Sequence, residues 1–548
     1  MSKKETITNA SSFMTPVVCC ILITETAERF AYFGFRAILV LYFTSVQQFS
    51  DEAAIALFAY MTSLAYLTPI LGAILADGSL GRYTTILWFG VIYAIGLTIL
   101  TISAFLEAGL GLQKVLSFTG LFLVCVGTGG IKPCVSAFGA DQVTHMEKIA
   151  TEEEVKRKDS EMDTLKQTFE LVKEDGVTSV SLDSTQQDSE RVRAFFASFY
   201  FCINVGAVTS IAVIPIVRSF FGFGAAFLVP TTFLCLSLLA FLSKSKEYVH
   251  QAPAEITLLT TFSLCWWLAR RNLADIPWIG RMMPCFRPKR EPVQSNLEHD
   301  DKKESHPYNL QLADANQALH VLPIMSFFTI FWMLYDQQGS VWTLQATRME
   351  LHGLQPEQLN VVNPVEIMIF IPLFDRIIYP LLERQGMRLS HIRRMMMGMV
   401  LASISFTASG LVESTIQHRK DSSLPMISVF WQLPQITLLA VAEIFVSVTG
   451  LEFAYSTSPE RMKAFFMAIF LLTTAIGDFF GGVLYSSVFK TMNRATVMHV
   501  CAFLMLCNFG VFVWVASWWE GVESKRKEVD VELTEEPVKT TRRSYLAT

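Results

Sequence analysis

Residues 25–36 read ETAERFAYFGFR, two glutamates and two arginines inside an otherwise apolar run. On a helix, Glu25, Glu28, Arg29, Tyr32 and Arg36 recur at three- and four-residue steps and share one face, with Phe33 close beside it. Further ionisable side chains lie in other apolar runs: Lys132, Asp336, Glu366, Glu443, Glu452 and Asp478. A lone charged pair there also reads as glue between helices, the less favoured of the two readings. Complementary acids and bases spread over several runs point instead to a wet, charged central cavity, because ionised groups in hydrocarbon are costly. The chemistry open to such groups is proton binding and the pairing of charged solutes. In the segment GTGGIKP, residues 127–133, Lys132 follows a glycine cluster and precedes a proline. A helix can bend there and leave backbone groups free to line a cavity.

The elements that must position these residues are long apolar runs. The chain has 548 residues, 52% of them hydrophobic, and a mean hydropathy of +0.39. Its runs have the length a bilayer demands, roughly 20 residues each. The expected spans are 14–43, 54–76, 84–106, 115–138, 194–217 and 224–243, then 319–338, 361–383, 392–413, 427–451, 462–485 and 496–519. A net charge of −5 shows no basic excess, which argues against nucleic acid as a partner. The ten cysteines fall mostly inside apolar runs without metal-ligand spacing, so they read as small buried hydrophobes, with no metal or other cofactor.

The opening MSKKETITNASS precedes a long, charge-bearing run, which is expected to be a mature first helix rather than a cleaved leader. The Lys and Arg bias of the short connections favours cytoplasmic termini. The expected organisation is a cytoplasmic N-terminus (1–13), a six-helix bundle (14–243) with a cytosolic insertion (142–192), a cytosolic linker (244–318), a second six-helix bundle (319–519) and a cytoplasmic tail (520–548). The insertion is rich in Glu, Asp, Lys, Ser and Thr and is expected to be mobile or partly helical. Within the linker, Ile256–Leu273 is apolar enough for a thirteenth span, while Arg270, Arg271 and the basic stretch that follows favour an interfacial helix. A faint repeat relates Asp77, Gly81 and Arg82 to Asp375, Arg376, Gly386 and Arg388. Parallel halves around a central site are the major-facilitator plan. The expected class is therefore an all-α membrane protein of the major facilitator superfamily, with about twelve transmembrane helices.

These motifs together resemble the proton-coupled oligopeptide transporter family. They are ETAERFAYFGFRAILVLYF (25–43), GTGGIKPCVSAFGADQ (127–142), FFASFYFCINVGA (195–207), FWMLYDQQGSVWTLQAT (331–347) and EIFVSVTGLEFAYSTSP (443–459). The resemblance covers nearly the whole chain in order and implies a proton-coupled symporter of di- and tripeptides. It implies that Glu25, Glu28 and Arg29 couple protons, that Lys132 partners Glu443 in one state, and that Arg36 and Asp336 close a gate. A free peptide is a zwitterion, so its two ends need opposite charges one or two residues apart. Arg29, Arg36 and Lys132 supply cations in the first half and Glu443 an anion in the second. Asn204 and Asn363 match family positions that bond the peptide backbone, and Tyr32, Tyr66 and Trp332 match pocket aromatics. The asparagines also read as helix glue, and Trp332 as a lipid-facing anchor.

Departures from the family pattern put side-chain preference in question. The second signature tyrosine is Phe33, the position of a proton-linked histidine reads Ala59, the usual Trp of span eleven is Phe470, and a usual Asn is Asp478. Asp478 reads equally as a cavity anion that attracts cationic side chains and as a protonated or structural residue. Rival readings are a facilitator of another small charged solute (nitrate, an amino acid or a peptide-like compound) and a non-transporting receptor. No Gly-x-Ser-x-Gly, HExxH or P-loop suggests an enzyme. The protein is expected to be monomeric, in the plasma membrane or an endolysosomal or vacuolar membrane.

Overall fold

Hydrocarbon offers no water to satisfy backbone groups, so apolar runs of this length must close their hydrogen bonds internally as helices. The computed structural model of the chain describes residues 15–106, 109–144, 180–250, 305–386, 389–457 and 463–544, with Ser263 and Trp266. Most of the insertion and the linker lies outside the described residues, including all of Ile256–Leu273 except Ser263 and Trp266. Among the described residues the fold is helical, with one isolated bridge between Glu350 and Ser428.

Helix α1 (Pro16–Ser45) starts at Thr15, whose Oγ1 accepts from the Val18 amide at 3.3 Å, with Pro16 in the first turn. It is followed by α2 (Asp51–Leu75), α3 (Arg82–Phe105) and α4 (Leu110–Ile131). The stretch Val180–Ser243 is two helices, α5 before Gly222 and α6 after it; Gly222 has φ of +79°, a left-handed turn that glycine accepts without strain. Helix α7 comprises Ser305–Ser326, Phe328–Tyr335, a 3-10 turn at Asp336–Gly339 and Val341–Ala346. Helix α8 is Val362–Leu373 and Tyr379–Arg384 around a π turn, and α9 is His391–Asp421. Helix α10 is Leu433–Glu443 and Thr449–Thr457 around a π turn at Ile444–Val448. Helices α11 (Lys463–Ser486) and α12 (Arg494–Ser544) complete the second bundle.

By length and composition, nine described helices can cross a membrane. Dividing the longest at Gly222 and adding α1 and α8 gives twelve. Some helices outrun their apolar segments: α9 continues to Asp421, and His418, Arg419 and Lys420 in its last turn favour the negative end of the helix dipole.

In the first half α1 packs on α5 and α3 on α4; in the second α9 packs on α12; α2 against α11 joins the halves. Small residues set the closest approaches, as membrane helix packing favours. A Cβ on Gly72 of α2 would sit 2.4 Å from the Gly129 carbonyl oxygen of α4. Thr68 Oγ1 seals the same contact by donating to the Cys125 carbonyl at 2.7 Å. This contact holds the broken end of α4, and therefore Lys132, against α2.

Candidate functional site

The α1 face forms a buried charge cluster. Arg29 Nε donates to Glu25 Oε1 at 2.7 Å and lies 2.9 Å from Glu28 Oε2. Glu28 is fully buried and its Oε1 accepts from Thr128 Oγ1 of α4 at 2.9 Å. One guanidinium therefore serves two carboxyls, so the net charge of the cluster changes with each proton gained or lost. Helix α4 stops at Ile131 and Pro133 follows, which swings Lys132 between two aromatic faces. Its Nζ lies 4.0 Å from the Tyr32 ring centroid and 4.3 Å from that of Tyr66, and has no hydrogen-bond partner. Lys132 and Glu443 are not paired in this state.

Glu443 ends the first segment of α10, next to the π turn. Such turns re-aim side chains and recur at functional sites. Its Oε2 accepts from Asn363 Nδ2 of α8 at 3.3 Å, and Asn363 Oδ1 accepts from the Tyr335 hydroxyl at 3.3 Å. Arg36 Nη2 meets Asp336 Oδ1 at 2.5 Å, across the two halves, with the guanidinium carbon 4.9 Å from the Phe58 centroid. The 3-10 turn of α7 begins at Asp336, which points that carboxyl at α1.

A cavity of about 230 Å³ lies between the halves. Phe33, Arg36, Tyr200 and Asn204 line it from the first half, and Tyr335, Asn360, Asn363 and Glu443 from the second. Of the residues singled out in the sequence, Arg36, Asn204, Asn363 and Glu443 reach the wall, whereas Glu25, Glu28, Arg29, Tyr32, Tyr66, Lys132, Trp332 and Asp336 do not. Trp332 is buried, edge-on to Tyr335 at 5.3 Å and to Phe470 at 5.8 Å, which removes the lipid-anchor reading. Asn204 Nδ2 donates to the Tyr200 carbonyl one turn back at 2.8 Å. Tyr200, Tyr335 and Asn360 were not anticipated as wall residues. Tyr335 carried a readable signal, a phenol one residue before an intramembrane aspartate.

Further contacts join the halves at the end of the bundle remote from Pro16. Arg218 Nε lies 2.7 Å from Glu357 Oε1, Arg494 Nη2 2.5 Å from Asp51 Oδ2, and the Tyr60 hydroxyl 3.1 Å from Ser486 Oγ. The Gln358 amide donates to the Ala212 carbonyl at 3.0 Å. Together with Arg36–Asp336 they close that end over the cavity.

The sequence profile of the POT family matches residues 83–501. The chain belongs to the POT family. It is 33% identical to human solute carrier family 15 member 2, over 82% of this chain and 55% of that one. It is 34% identical to peptide transporter family 1 of Drosophila melanogaster, over 75% of this chain and 49% of that one. The chain spans about half the length of these curated relatives. The crystal structure of the POT family transporter PepTSo aligns with a TM-score of 0.70 at 25% identity, covering 92% of this chain and 98% of that one. The fold is thus that of a major-facilitator transporter, and the chain is a multi-pass membrane protein.

Two departures of this POT family chain acquire a location. Phe33 lines the cavity, so its missing hydroxyl lies on the wall. Asp478 does not line it; it is 2% exposed and within hydrogen-bonding reach of Asp336. Of the two readings of Asp478, the cavity anion has no wall position in this state, because α11 packs against α7 and brings Asp478 to Asp336.

Proposed function

We propose that the chain is a proton-coupled symporter of di- and tripeptides that works by alternating access. One observation carries this reading: a cation, Arg36, and a carboxyl, Glu443, face a single cavity from opposite halves. A zwitterion bound between them pulls the halves together, which is what a ligand must do to favour an occluded state. Arg36 retains a buried Nε without a partner beyond its contact to Asp336, and Lys132 is a second cation without a hydrogen bond. The termini lie in the cytosol, which makes the Arg36–Asp336 end the outer one and this conformation inward-facing. The bundles are 14–243 and 319–519, the molecule acts as a monomer without a cofactor, and it resides in the plasma membrane or an endolysosomal or vacuolar membrane. Glu25, Glu28, Arg29, Lys132 and Glu443 handle the proton; Tyr32, Tyr66, Asn204, Trp332 and Asn363 shape the path or bind the backbone. Peptide is held and moved with no covalent step.

The test is competition for uptake of a labelled dipeptide into proteoliposomes under an inward proton gradient. A free dipeptide should compete, and its N-acetylated and C-amidated analogues should each compete at least about tenfold less well, since each loses one charge-assisted contact of about 1.5–3 kcal/mol. Equal competition by all three would contradict recognition of both ends.

A further inference from the structure

The gate contains more carboxyls than its single cation explains. Asp336 gives Oδ1 to Arg36, while its Oδ2 is buried and no donor reaches it. Asp478, from α11, is buried within hydrogen-bonding reach of Asp336 and within the field of Arg36, and its own Oδ2 also lacks a donor. Two ionised carboxylates this close in a buried site repel each other strongly, and one guanidinium neutralises only one of them. Among the described residues, the other groups that sense the pair include the phenols Tyr32, Tyr66 and Tyr335 and the acid Glu443, none of them a cation.

We infer that Asp336 and Asp478 form a proton-sharing carboxyl pair, a proton-binding site built into the gate. One proton held between the two carboxyls supplies a donor that the pair otherwise lacks. It leaves the pair with a single negative charge, which Arg36 balances. Both aspartates belong to the second half, so the pair stays together when Arg36 withdraws with the first half. The separating surface then carries one charge on each side, and a further proton on the pair releases Arg36 without leaving an anion behind. This places a titratable site at the gate in addition to the α1 cluster and Glu443. Its role in gating rests on the symport reading; the existence of the pair does not.

Infrared difference spectroscopy of the purified, peptide-free protein at neutral pH tests it. The proton-bearing carboxyl stretch assigned to the pair should disappear in Asp478→Asn and equally in Asp336→Asn, because either remaining aspartate ionises against Arg36. In the unmutated protein the same band should shift when aspartate is labelled with 13C at its side-chain carboxyl, a readout that needs no variant. Loss of the band in Asp478→Asn but not in Asp336→Asn would mean a solitary protonated acid and would overturn the pair. So would a band that ignores the aspartate label, or its absence from the unmutated protein. None of these outcomes bears on peptide uptake, so failure here leaves the transport reading standing.

Discussion

Glu28→Gln is expected to abolish pH-driven accumulation of dipeptide while leaving peptide counterflow intact. Glu28 is fully buried, bonded by Thr128 and beside Arg29, which also binds Glu25. When a peptide carboxylate draws on the cations of the first half, the acids lose part of their compensation and favour protonation. A glutamine keeps the shape and the Thr128 contact but cannot exchange a proton. Each pH unit of gradient supports about tenfold accumulation per coupled proton. The variant should therefore equilibrate peptide without concentrating it, and Glu25→Gln should do the same. Accumulation by both variants to the unmutated level would remove the α1 acids from coupling.

The second large effect concerns the gate. Asp336→Asn alone should shift the conformational balance modestly, because Asp478 can take the charge opposite Arg36. The double variant Asp336→Asn/Asp478→Asn leaves that guanidinium buried with no carboxylate, at a cost of about 3–5 kcal/mol in the closed state. That is roughly a hundredfold to several-thousandfold in the ratio of states. Cysteines placed at the Tyr60–Ser486 end should label far faster from outside in the double variant than in either single one. Identical labelling in all three would show that Arg218–Glu357, Arg494–Asp51 and their neighbours hold the end closed unaided.

Much of this arrangement was legible before any coordinates. The α1 face followed from three- and four-residue spacing, and the break at Lys132 from Pro133, because both are local consequences of helix geometry. The spans followed from hydropathy, with ends displaced where caps or polar turns extend the helix beyond its apolar run, as in α9. What could not be read was which charge meets which. Lys132 rests on Tyr32 and Tyr66 rather than on Glu443, at the end of α4 that the close Gly72–Gly129 approach packs against α2. Asp478 stood out as a departure, but its contact with Asp336 depends on the rotation of α11 against α7, which tertiary packing sets. Tyr335 sat inside a quoted motif without a role because only the fold brings it to Asn363.

The central claim is that peptide and proton cross together. Its most direct measurement is lumenal pH in proteoliposomes that hold a pH-sensitive dye, at an imposed inside-negative potential and with no initial pH gradient. Adding an external dipeptide should acidify the lumen in proportion to the peptide taken up, and Glu28→Gln should take up peptide without acidification. Peptide uptake by the unmutated protein with no change in lumenal pH would contradict the account.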